Sequence, residues 1–233
     1  MAKHLHRDLA ELSKDILTLG ARVEESLDWA VRALLERRED LAAKVRAADV
    51  VIDRQEVEVE ENCLKILALH QPVAADLRFV ITALKVNNDL ERMGDHAVSI
   101  AGRAAKLSQK QPLESAEDIN RLAMKVRAMV KLSLGALIER DVATAREICA
   151  MDDEVDALHR EMYSVLKEQM RESPQVVGRA VNALSVSRNL ERIADLCTNI
   201  AEDVIFMVSG EVVRHGVLGE EHGTLTVPGE DED

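Results

Sequence analysis

Apolar residues recur along this chain in alternating steps of four and three. The first such stretch places Leu5, Leu9, Leu12, Ile16, Leu19 and Val23 on one stripe. That spacing marks an amphipathic helix with one face buried in a bundle, and it predicts a helix over residues 3–38. The chain then turns at Arg38-Glu39-Asp40, where Asp40 is the expected cap of a second helix over 41–70. Gln71-Pro72 ends that helix, because proline has no N–H to donate and restricts the residue before it. A third helix is expected over 73–108, and Gln111-Pro112 closes the first half. The pattern restarts with helices over 115–139, 141–172 and 175–208, with Ser173-Pro174 dividing the last two. After Gly210 the periodicity stops, and the acidic, Gly-rich remainder reads as a disordered tail over 210–233. The expectation is an all-α chain with one three-helix bundle over 1–110, a second over 111–209, and the tail.

The halves repeat each other. Residues 86–100 read VNNDLERMGDHAVSI and residues 186–200 read VSRNLERIADLCTNI. Ala33-Leu34-Leu35-Glu36-Arg37 likewise matches Ala136-Leu137-Ile138-Glu139-Arg140, an offset of 103. At that offset Asp49 matches Asp152 and Asp53 matches Asp156. The chain is an internal duplication of a three-helix unit.

Composition narrows the function. The apolar share is 47%, but the aromatics are only Trp29, Phe79, Tyr163 and Phe206, so the core must be built of Ala, Leu, Val and Ile. A formal net charge of −13 argues against nucleic acid and anionic lipid, whose binding rests on Lys and Arg neutralising phosphate. Cys63, Cys149 and Cys197 are odd in number and lack a CxxC spacing, which fits buried thiols in a reducing compartment. The charged N-terminus is unlike a signal peptide. No run of about 18 apolar residues is available to span a membrane. A cytoplasmic protein is expected.

The chemistry lies in stacked carboxylates. Glu91 and Asp95, and again Glu191 and Asp195, are four apart and share a helix face. Asp49 with Asp53, and Asp152 with Asp156, do the same on the preceding helices. Counted from Pro72 or Pro174, each pair lies almost as far before the turn as its counterpart lies after it. An antiparallel hairpin therefore sets them at one height, and each half gathers four carboxylates. Four such groups at close range either take up protons or bind cations. Oxygen-only donors suit magnesium, manganese, calcium or iron. His96 and His159 are peripheral candidates; His96 points about 100° away from Asp95. Arg92 and Arg192 are placed for i, i+3 pairing with the acids. Gly94, matched by Ala194, suggests close helix packing.

With these residues laid out, the chain resembles the PhoU family of phosphate-specific transport system accessory proteins. The resemblance rests on Gln71-Pro72-Val73-Ala74-Ala75-Asp76-Leu77-Arg78, on Leu90-Glu91-Arg92-Met93-Gly94-Asp95-His96-Ala97, and on the duplicated architecture over 3–208. It implies two symmetric three-helix bundles and a homodimer. It implies metal held at Glu91 and Asp95 and at Glu191 and Asp195, opposed by Asp49, Asp53, Asp152 and Asp156, with iron, manganese, magnesium or zinc as the ion. It also implies a non-enzymatic negative regulator of the phosphate-starvation response. Such a protein links the ATPase subunit of the phosphate ABC transporter to a sensor histidine kinase at the cytoplasmic side of the membrane. The second half departs from the pattern, lacking Pro-x-x-x-Asp-Leu-Arg and the histidine after Asp195, so the two sites are expected to differ. Two other readings stay open: a di-iron carboxylate enzyme or iron-storage bundle, and a metal-free helical scaffold. The first asks for Glu-x-x-His on two helices, and the nearest echo is Asp156-x-x-His159.

Overall fold

The computed structural model describes residues 2–108, 110 and 115–211. Within them six helices follow one another: α1 (Ala2–Leu35), α2 (Glu39–His70), α3 (Ala74–Ser108), α4 (Ala116–Glu139), α5 (Val142–Glu172) and α6 (Val177–Ser209). A single 3-10 turn, Pro174–Val176, precedes α6. The boundary expected between 110 and 111 and the tail beyond Glu211 fall outside the described residues.

Each half is a bundle of three helices. α1 and α2 pack on α3, α4 and α5 pack on α6, and α3 and α6 pack on each other. The stripe read on α1 is the inner face: Leu12, Ile16, Leu19, Val23 and Leu27 are at most 2% exposed, while Leu5 and Leu9 are only partly covered. The core is aliphatic, as the lack of aromatics requires. Its largest fully buried side chains are leucine, isoleucine and methionine.

The turns show both the duplication and its drift. Arg37 and Arg140, at matched positions, both take left-handed backbone (φ 59° and 55°). The next residue caps the following helix. In the second half it is Asp141, whose carboxylate accepts the Ala143 and Thr144 N–H groups at 2.9 and 3.2 Å. In the first half it is Arg38, with no side-chain cap bond. The capping role expected of Asp40 is thus not observed. Asp40 sits inside the first turn and pairs with Arg38 at 2.6 Å. Its charge there still complements the positive helix end. Gln71 also differs from expectation: before Pro72 it is left-handed (φ 46°) and donates its N–H to the Leu67 carbonyl, not extended as proline usually requires of its neighbour.

The α3–α6 contact runs antiparallel and is partly polar. Arg78 donates to the Met207 carbonyl (3.1 Å), Lys85 to Asp203 (2.6 Å), and Arg103 to Ser185 (3.1 Å), while His96 bonds Asn189 (2.9 Å). Lys85 matches Ser185 in the duplication and Asp203 matches Arg103. One crossing is therefore used twice, with an ion pair on one side and a guanidinium-to-hydroxyl bond on the other.

Candidate functional site

The α2–α3 hairpin brings the first four carboxylates together. Asp49 and Asp53 rise from α2, Glu91 and Asp95 from α3. Side chains of α2, not its backbone, reach α3 at Gly94. A β-carbon there would lie 3.4 Å from Ile52 and 3.8 Å from an Asp49 oxygen. That is ordinary contact, so alanine, as at Ala194, fits equally well. Burial raises the Glu91 carboxyl above its usual range, and Asp95, Asp53, Glu56 and Asp49 push it further. Burial raises Asp49 too, reinforced by Asp53 and Asp95. Asp53 and Asp95 themselves stay exposed.

The α5–α6 hairpin builds the second quartet from Asp152, Asp156, Glu191 and Asp195. All four are half-buried. Asp152 is pushed up to about 6, first by burial, then by Asp195, Asp156, Asp153 and Glu191. Its Oδ1 is buried with no hydrogen-bond partner. Glu191 and Asp195 are also raised, chiefly by burial.

The two quartets differ in their cations. Arg192 lies 3.6 Å from Asp195 and 3.7 Å from Glu191. Arg92 instead turns back to Asp89, 3.3 Å away, and its field falls on Asp195 of the other bundle. His96 does the same: it bonds Asn189 across the α3–α6 contact and faces Asp195 rather than Asp95. His159 bonds Ser187 at 2.7 Å and lies near Glu191. At the matched position in the first half, Glu56 accepts from Asn87 (3.2 Å). Arginine and histidine thus flank the second quartet, while the charged neighbours acting on Asp49 and Glu91 in the first are acidic.

The donor set, oxygen-only and mutually repelling, suits a hard divalent cation. The orphaned Asp152 oxygen suits one as well. Among the described residues, however, no three acidic, histidine or cysteine side chains close on a single point to hold an ion as they stand. Loading a metal would require the carboxylates to rotate inward.

Sequence reasoning overlooked two features. The second quartet opens on a cleft of about 850 Å³ whose walls include Arg92, Arg146, Arg192 and Cys149. Its arginines come from α3, α5 and α6, and pairwise spacing within one hairpin gives no sign of that convergence. Asp89 is 8% exposed at the α3–α6 contact and is pushed up to about 6, mainly by burial. Its place in Asn87-Asn88-Asp89, directly ahead of the motif, was the available signal. Cys197, two residues past Asp195, faces away into the core beside Ser133, and burial raises its thiol.

Two three-helix bundles, each carrying an acidic quartet on its hairpin, define a duplicated all-α fold. A sequence model of the PhoU domain matches residues 16–104 and again 119–204, and the chain belongs to the PhoU family. A Deinococcus radiodurans relative, a phosphate-specific transport system accessory protein PhoU homolog, is 38% identical over 210 residues, spanning 90% of this chain and 99% of that one. The crystal structure of PhoU from Pseudomonas aeruginosa superposes with a TM-score of 0.87 at 34% identity, over 88% of this chain and 99% of that one. The phosphate transport system regulatory protein PhoU from Streptococcus pneumoniae superposes at 0.82 with 29% identity, over 91% and 100%. Among the described residues no helix is long and apolar enough to cross a membrane.

Proposed function

We propose that this chain is a metal-binding negative regulator of the phosphate-starvation response. It acts as an adaptor between the ATPase subunit of the phosphate ABC transporter and a sensor histidine kinase, on the cytoplasmic side of the membrane. The observation that carries this reading is the PhoU-domain match over both bundles, joined to relatives named as accessory proteins of phosphate transport. Glu91, Asp95, Asp49 and Asp53 would hold metal in the first bundle, and Glu191, Asp195, Asp152 and Asp156 in the second. A bound magnesium, manganese, iron or zinc ion would supply positive charge that relieves their repulsion and would brace each hairpin. The iron-oxidising alternative finds less support, because His96 and His159 are engaged with Asn189 and Ser187.

The test is deletion of the gene in phosphate-rich culture with alkaline phosphatase as the readout. Activity should rise, and the wild-type gene should restore repression. A variant with Glu91, Asp95, Asp152 and Asp195 changed to their amides should restore it poorly. Normal repression after deletion, together with no co-purification with either the transporter ATPase or the kinase, would overturn the reading. Manganese titration calorimetry on the same variant checks the site separately: heat should be lost with the carboxylates.

A further inference from the structure

α2 carries apolar residues on two faces. Its inner face, including Val45, Ile52, Val59 and Ile66, is buried against α1 and α3. On the outside stand Val50, Val57 and Leu64, 59%, 49% and 54% exposed. They recur every seven residues, which keeps them on one side with a drift of about 20° per heptad. Among the described residues α2 packs on α1 and α3 and on no other helix, so this stripe is uncovered.

The duplication supplies an internal comparison. At the repeat offset, α5 carries Asp153, Arg160 and Lys167 in place of Val50, Val57 and Leu64, and all three are exposed. The bundle therefore folds with charge on this face, and its construction does not call for the apolar stripe on α2.

Charge identifies what would cover it. Along the α3 side the stripe is bordered by Asp49, Asp53, Glu56 and Glu60, a side fixed by their effect on Glu91 and on one another. Exposed Glu58 and Glu61 add to the acidity, and the exposed cations Arg46, Arg54 and Lys65 on α2 offset only part of it. Two copies of α2 pairing antiparallel would set acidic border against acidic border, in a chain of net charge −13, which disfavours a second copy. We propose that the Val50–Val57–Leu64 face docks an amphipathic helix of a partner protein, with leucine or valine at heptad spacing and lysine or arginine along its edge. Helix-in-groove recognition reads such anchors one turn or two apart, and the opposite charges steer the encounter. The proposal is independent of metal at the quartets.

A labelled synthetic helix of about three heptads, with leucine at a and d and lysine at e and g, tests it by fluorescence anisotropy in EDTA. Saturable binding is expected, one peptide per chain. Val57→Asn with Leu64→Asn should weaken it by roughly tenfold or more without changing the melting temperature, while Arg160→Ala on α5 leaves it intact. Equal binding by the Val57→Asn, Leu64→Asn variant would reduce the effect to bulk charge and overturn the proposal. Equal binding of a peptide with glutamate at e and g would also overturn it. So would a dimer, seen by sedimentation equilibrium, that the same double variant dissociates, because a second copy would then be the occupant.

Discussion

Asp152 shows how burial and neighbouring charge act together on one carboxyl. Its carboxyl is held near pKa 6 against an ordinary value of 3.8, first by burial and then by its acidic neighbours. The folded state therefore holds this proton more tightly than the unfolded chain does, and stability falls as pH rises from about 4 toward 6. Above that the cost is fully present. Asp152→Asn should stabilise the metal-free protein at pH 7.5 by on the order of 1 kcal/mol, after allowing for the group's partial solvent access. The gain should shrink by roughly half at pH 5. Denaturant melts in EDTA at the two pH values check this; a gain that grew on acidification would contradict the assignment. A cation that displaced the proton would relieve the part of this cost that comes from Asp195, Asp156, Asp153 and Glu191.

The elements meet at close quarters where small residues permit it. A methyl group at Gly20 on α1 would come within 2.6 Å of Leu134 on α4, whereas one at Gly102 on α3 would meet nothing within 4 Å. Gly20→Val should therefore cost about 2 kcal/mol through overpacking of the α1–α4 contact. Gly102→Ala should gain up to about 1 kcal/mol from helix propensity. Thermal unfolding of the two variants side by side distinguishes local packing from a general intolerance of change in the helices. The helices themselves were legible, because heptad-like spacing and the Pro72 and Pro174 breaks leave few alternatives; observed ends fall within a few residues of those expected. The cap at Asp40 was not, because Arg38 and Asp40 both flank the turn and only the backbone angles decide which residue sits outside the helix.

Across the whole molecule the two sites should act as separate ligand-binding centres on one folding unit, joined through α3 and α6. Metal that binds only the folded chain stabilises it by mass action, by about 2.7 kcal/mol at a hundred times the dissociation constant. Millimolar manganese should raise the melting temperature and EDTA should return it. Asp49→Asn with Asp95→Asn, or Asp152→Asn with Asp195→Asn, should each remove only part of that rise. The second pair should also change its dependence on salt, because Arg92, Arg192 and His96 already press on Asp195.

The order of helices, the duplication and the membership of each acidic quartet follow from sequence alone. Period, proline position and equal spacing about a turn are one-dimensional properties that an antiparallel hairpin preserves. The α3–α6 crossing belongs to tertiary structure. It sent His96 to Asn189, set Arg92 near the second quartet, buried Asp89, and opened the arginine-walled cleft. Such contacts join residues about a hundred positions apart, and their pairing depends on how two finished bundles meet, which no local pattern encodes.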